Sequence, residues 1–276
     1  MTLRFSKMHG LGNDFVVIDA INQHVELDAA RVRALADRHY GIGCDQLLVI
    51  EPPRNAGSDF FYRIYNADGS EVAQCGNGAR CFARYVRDHG LINRDEIRVD
   101  TSAGAMTLYI EADGQVRVNM GLPRFEPAEI PLIASVRQPL YTLEVNDDTV
   151  QLGAVSLGNP HAVMRVDDIE NAPVASLGPR LESHPAFPER ANVGFMQILD
   201  RNRLRLRVFE RGAGETRACG SGACAAMVIA RQQDLVGDMV TVELRGGNLQ
   251  IQWKGEGEPV WMTGPATQVF EGQIEI

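Results

Sequence analysis

The chain has 276 residues, 45% hydrophobic and 23% charged, enough apolar material for a core without disulfide or metal staples. At roughly 100–200 residues per domain, two domains are expected. A net charge of -9 argues against a nucleic-acid or anionic-membrane partner, either of which needs a basic patch.

In chain order, Phe15–Ile18 is the first strand-like run. Asp28 can cap a helix over Ala29–Tyr40, stopped by Gly41. Strands are expected at Leu47–Ile50 and Phe60–Tyr65. After Cys75, Ala79, Phe82, Ala83 and Val86 follow a helical template, with Arg80, Arg84 and Arg87 as a polar stripe. Met106–Ile110, Val116–Met120, Leu204–Phe209 and Val240–Leu244 are further strands. In the third of these, Leu204, Leu206 and Val208 alternate with Arg203, Arg205 and Arg207, giving one wet face. After Cys219, Ala223, Ala226, Met227 and Ala230 repeat the helical template, and the intervening residues are apolar too, so that helix is buried. Turn signals at Asp68-Gly69, Asp113-Gly114 and Gly246-Gly247 join strands as hairpins. No run reaches the roughly 18 apolar residues of a membrane span, and Met1–Lys7 lacks the apolar core of an export signal. Five cysteines, an odd number, then read as reduced thiols of a cytoplasmic protein.

The chain repeats itself. Tyr65–Ala79 and Phe209–Ala223 match at Cys, Gly, Gly, Ala and Glu with one offset of 144 residues, from 75 to 219. Gly12-Asn13 resembles Gly158-Asn159, and Gln46 at the start of an apolar run resembles Asn192, both at an offset of 146. With Val99–Gly104 against Val242–Gly247 at an offset of 143, four blocks in the same order indicate two homologous halves. The fold class is therefore α+β: two pseudo-symmetric halves, each a mostly antiparallel, barrel-like sheet wrapped around a central helix. The N-terminal half takes residues 1–119 plus 265–276 and carries Cys75. The C-terminal half takes residues 120–264 and carries Cys219, with the active site expected in the cleft between them.

Cys75 and Cys219 each follow a Gly-rich turn at the first turn of a buried helix. A helix N-terminus offers unsatisfied N–H groups and about half a positive charge, which should lower a thiol's pKa. The backbones of Gly76-Asn77 and Gly220-Ser221 can bind a carboxylate there. Two thiols on opposite faces of the adjacent carbon form a two-base arrangement: one removes a proton, the other returns one, and the centre inverts. Lys7 and Lys254 are the only lysines and neither lies in a repeated motif, which disfavours a pyridoxal Schiff base, so no cofactor is expected. The spacings Cys75/Cys81 and Cys219/Cys224 do not suit zinc, and no metal is expected. Cys44, Cys81 and Cys224 read as core residues.

Around the thiols, His161 sits in a repeated block and can tune a thiol. Arg211 suits a second substrate carboxylate and Glu210 an ammonium group. Asn13, Gln46, Asn66, Asn159 and Asn192 stand at repeat-related strand ends, as amides reading a zwitterion would.

Lys7–Phe15, Asn66–Ser70, Cys75–Arg80, Gly158–His161, Asn192-Val193, Glu210–Gly212 and Ala218–Gly222 together resemble the diaminopimelate epimerases, nearly end to end. The resemblance implies cofactor-independent interconversion of LL- and meso-2,6-diaminopimelate in lysine and peptidoglycan precursor synthesis. It implies Cys75 and Cys219 as bases, with His161 and Glu210 in support. Asn13, Gln46, Asn66, Gly76, Asn77, Asn159, Asn192, Glu210, Arg211, Gly220 and Ser221 would bind substrate. It also implies a homodimer, for which the family often uses a C-terminal tyrosine. Phe270 stands there, so ring packing can persist but a hydroxyl bond cannot. The rival readings are a proline or hydroxyproline racemase on the same fold, a thiol redox protein, and a non-enzymatic amino-acid-binding module.

Overall fold

The protein is described from a computed structural model, which places residues 2–72, 75–102, 104–146 and 148–275. The chain divides into two compact units, Met1–Asn119 with Thr263–Ile276, and Met120–Met262.

In the first unit the strands are β1 (Thr2–Gly10), β2 (Asn13–Asp19), β3 (Gln46–Glu51), β4 (Phe60–Asn66), β5 (Glu71–Val72), β6 (Glu96–Thr101), β7 (Gly104–Ile110) and β8 (Val116–Asn119). The helices are α1 (Ala29–Ala36) and α2 (Gly76–Asp88). Antiparallel pairs β1/β2, β3/β4, β6/β7 and β7/β8 alternate with parallel pairs β2/β3 and β4/β6. The last strand of the chain, β18 (Thr267–Glu275), runs antiparallel to β1, with Thr2 opposite Glu275.

The second unit repeats this order. Its strands are β9 (Tyr141–Val145), β10 (Asp148–Ser156), β11 (Pro160–Arg165), β12 (Asn192–Asp200), β13 (Arg203–Glu210), β14 (Gly214–Thr216), β15 (Met239–Leu244) and β16 (Gly247–Gln252). β17 (Trp261–Gly264) follows, and the helices are α3 (Val174–Glu182) and α4 (Gly220–Gln232). The duplication holds at the level of register. Phe15 lies opposite Gln46 in the parallel pair β2/β3, and His161 opposite Asn192 in the parallel pair β11/β12. Ile64 lies opposite Val72, and Val208 opposite Thr216.

The same helix meets both ends of its sheet: α2 packs on β1 and β2 and also on β7 and β8, while α4 packs on β10 and β11 and also on β15 and β16. A sheet can do this only by curling around the helix. Pattern explains most elements. Leu204, Leu206 and Val208 of β13 are buried, as the alternation requires. The helix α4 is buried from Gly222 through Ala230. The turn between β1 and β2 puts Leu11 and Gly12 at φ 56° and 86°, the left-handed pair that tight hairpins need. Among the described residues no helix is long and apolar enough to cross a membrane.

Three local features differ from the sequence expectation. The helix α1 stops at Ala36, short of Tyr40, because the Asp37 carboxylate accepts the His39 and Tyr40 amides at 2.7 and 2.8 Å. Such side-chain bonds compete with helix propagation. Arg80 is not part of a wet stripe: it is 0% exposed and its Nε donates to the Pro265 carbonyl at 3.2 Å. The helix α3, absent from the sequence expectation, carries Pro179 inside it, and Ser183 Oγ donates to the Pro179 carbonyl at 2.8 Å.

Candidate active site

Each unit ends a strand at a Gly-rich turn and begins its central helix at a cysteine. Cys75 is the N-cap of α2, and its Sγ accepts the Gly78 amide at 3.4 Å. The thiol is half-buried. Gly78 is required here by packing: an added Cβ would lie 2.2 Å from Tyr62 Oη. That hydroxyl is fully buried and has no hydrogen-bond partner among the described residues. Burial, with the nearby charges of Cys75 and Cys81, pushes Tyr62 well above its usual pKa. Asn77, one turn-residue beyond Gly76, donates from Nδ2 to Asn13 Oδ1 at 3.2 Å. Gln46 and Asn66, opposite one another on β3 and β4, bond to each other at 3.0 Å. Thus Cys75, Gly76, Asn77 and Asn13 form one group, and Gln46 with Asn66 a second within the same unit.

Lys7 bonds to Asp14 and to the Gly43 carbonyl, so this amine is committed to an ion pair. Burial opposes ionisation of Asp14, but bonds and charges from Arg38 and Lys7 outweigh it and hold the carboxyl well below its usual range.

In the second unit Cys219 is the N-cap of α4 and 4% exposed. Its Sγ lies 3.7 Å from Ser221 Oγ and is hydrogen-bonded with Glu210. Glu210 also accepts the Thr216 hydroxyl. Ser221 Oγ receives Asn159 Nδ2 at 3.4 Å, and Asn159 Oδ1 meets His161 Nε2 at 3.0 Å. The link from His161 to Cys219 therefore runs through Asn159 and Ser221. His161 is 1% exposed, and burial, followed by the charge of Arg211, lowers its pKa to about 3. It is neutral at physiological pH.

The expectation that a helix N-terminus lowers the thiol pKa fails at Cys219. Burial, then the charge and hydrogen bond of Glu210, push this thiol well above its usual value; the Gly222 amide and Ser221 hydroxyl pull the other way without prevailing. Cys219 rests as a thiol. Asn192 bonds to backbone at both ends of its amide: its Nδ2 donates to the Pro160 carbonyl at 3.1 Å and its Oδ1 accepts the Arg211 amide at 3.0 Å. The exposed Arg211 side chain donates to the Glu189 carbonyl at 3.0 Å. Phe270 belongs to neither group. It is 47% exposed on β18, edge-on to Phe5 with centroids 6.0 Å apart. Burial pushes the Cys44 and Cys81 thiols up to about 12, and Cys224 is also buried.

The sequence reading missed three residues here. Asp45 accepts Asn13 Nδ2, Thr216 holds Glu210, and Tyr62 backs Gly78. Their signal was positional: Asp45 adjoins Gln46, Thr216 precedes Cys219 by one turn, and Tyr62 stands where the repeat has Leu206.

The model of the family described as diaminopimelate epimerase matches residues 5–126 and 153–269. Curated proteins named diaminopimelate epimerase are 61% identical in Nitrosomonas europaea and 56% in Ectopseudomonas mendocina, each over 276 residues and 100% of both chains. The chain belongs to the diaminopimelate epimerase family. Among solved structures, a hydroxyproline epimerase from Agrobacterium vitis has a TM-score of 0.71 at 16% identity, covering 99% of this chain and 92% of its own. A PhzF-family phenazine biosynthesis protein from Bacillus anthracis has a TM-score of 0.71 at 16% identity, covering 100% of both. At such identity these two establish the shared fold.

Proposed function

We propose that this family member is an isomerase that interconverts LL- and meso-2,6-diaminopimelate without a cofactor. The observation that carries the reading is the matched pair of thiols, Cys75 and Cys219, each capping a buried helix at an offset of 144 residues. In this reading one thiolate takes the α-proton and the thiol on the opposite face of the carbon delivers another. The electron pair left on the carbon delocalises into the substrate carboxylate, where helix amides stabilise it. Glu210, hydrogen-bonded to the Cys219 thiol, is the group that takes up or returns its proton, and neutral His161 orients Asn159. Substrate binding falls to Asn13, Gln46, Asn66, Asn77, Asn159, Asn192 and Arg211, and to backbone amides at Gly76 and at Gly220-Ser221.

The test is deuterium wash-in at the α-carbon of diaminopimelate in heavy water. Wild type should exchange, and Cys75→Ser and Cys219→Ser should each lower epimerisation by about 10²–10⁴-fold, the usual worth of a general acid or base. Absence of exchange in wild type defeats the proposal, and turnover of proline instead would favour the racemase reading. The family resemblance also supports a cytoplasmic homodimer with Phe270 at its contact. A native mass of two chains is the expected result, and a monomer at working concentration contradicts it.

A further inference from the structure

Asn13 opens β2, and the nitrogen of its amide faces a chemically one-way partner. Its Nδ2 donates to Asp45 Oδ2 at 2.9 Å, and its Oδ1 accepts from Asn77 Nδ2 at 3.2 Å. Asp45 Oδ2, which also accepts the Asp14 amide, is an acceptor, whereas the Asn77 amide can turn over to offer either atom. A flipped Asn13 would set two acceptors together at the Asp45 end. The counterpart in the second unit, Asn159, lies between His161 Nε2 and Ser221 Oγ, either of which can donate or accept. The duplicate therefore carries no such lock.

The lock is itself braced. Arg38 donates to Asp45 Oδ1 at 2.7 Å and makes two bonds to Asp14, at 3.0 and 2.7 Å. The Asp14 amide donates to Asp45 Oδ2 and the Asp45 amide to Asp14 Oδ1, both at 3.1 Å. The carboxylate facing Asn13 thus has its position set by the Arg38 guanidinium and the Asp14 amide, and the residue after it is Gln46.

We propose that Asp45, braced by Arg38, is a positioning residue that fixes the Asn13 amide in one polarity, so that its remaining N–H and lone pair meet a zwitterionic substrate in one orientation. This rests on the reading of Asn13 as a substrate-binding residue. Asp45 acts through Asn13 and touches no reacting atom.

Steady-state kinetics of the full chain with diaminopimelate test it. Asp45→Ala should raise KM about tenfold, the equivalent of roughly 1.4 kcal/mol, with kcat little changed. Asp45→Asn keeps an oxygen for Asn13 to donate to and should recover most of that loss. Asn13→Ala should raise KM at least as much, and adding Asp45→Ala to it should cost nothing further, a non-additivity that a merely structural role would not produce. Arg38→Gln, on the exposed side of the brace, should shift KM the same way by less. An unchanged KM in Asp45→Ala, or its full cost on the Asn13→Ala background, overturns the positioning role alone. An unchanged KM in Asn13→Ala overturns the substrate reading of Asn13 and this inference with it.

Discussion

At the head of α2, Cys75 is half-buried and takes the Gly78 amide, with Asn66 at the end of β4; at the head of α4, Cys219 is 4% exposed and hydrogen-bonded with Glu210. Asn66 and Glu210 are duplicates, as are Arg80 and Cys224, and Tyr62 and Leu206. The backbone plan is shared, while charge and packing differ at each of these pairs. Duplication thus provides two thiol-bearing helix termini, and later divergence makes one of them a buried thiol beside a carboxylate. Two chemically unequal groups suit a reaction that needs one proton acceptor and one proton donor at a time.

The largest expected break in this comparison is steric. Gly78→Ala drives a Cβ to 2.2 Å from Tyr62 Oη, whereas at Gly222 the nearest atom is Val208 Cγ2 at 3.0 Å. Gly78→Ala should therefore cost about 1–3 kcal/mol of stability, the usual range for overpacking, and Gly222→Ala less. Adding Tyr62→Phe should restore most of the loss at Gly78, and urea denaturation that finds the two alanine variants equal would contradict the packing account.

Next is the charge beside Cys219. Removing it with Glu210→Gln should move the pH midpoint of Cys219 alkylation downward, measured by iodoacetamide labelling in a Cys75→Ser background. An unmoved midpoint would leave burial as the sole cause. His161 should then show in acid stability. Its folded pKa of about 3 lies below the ordinary 6.5, so the folded chain binds fewer protons than the unfolded one in between. Its contribution is complete above pH 6.5 and is lost as pH falls toward about 3. Replacing it with glutamine should flatten that slope in chemical denaturation at stepped pH. The smallest effect is expected from Ser221→Ala, which removes a bond that lowers the Cys219 pKa and should shift the alkylation midpoint slightly upward.

The repeat made most of the architecture legible before any coordinates. An offset of 146 predicted that Gln46 and Asn192 are equivalent, and sheet register pairs them with Phe15 and His161, which differ by the same offset. Alternation located β13, and all-round apolarity marked α4 as buried. What periodicity could not reveal were effects that depend on neighbours from distant sequence. Arg80 looked wet because arginine normally is; Pro265, far along the chain, supplies the carbonyl that lets it stay inside. The raised thiol pKa of Cys219 depends on burial by the fold and on Glu210, neither of which helix position alone encodes. The parallel pairs β2/β3 and β4/β6 were also invisible, since each strand reads the same whichever way its partner runs.

The antiparallel pairing of β1 with β18 has a consequence for biogenesis. The unit spanning Met120–Met262 is continuous in sequence, whereas the other is completed only by Thr263–Ile276. On a ribosome, where domains fold as they emerge, the later-coded unit can finish before the earlier-coded one. Until β18 is synthesised, the edge of β1 has no partner there and is open to pairing with other chains. A released chain truncated just short of β18 should keep the C-terminal unit protease-resistant while the N-terminal unit is still cleavable.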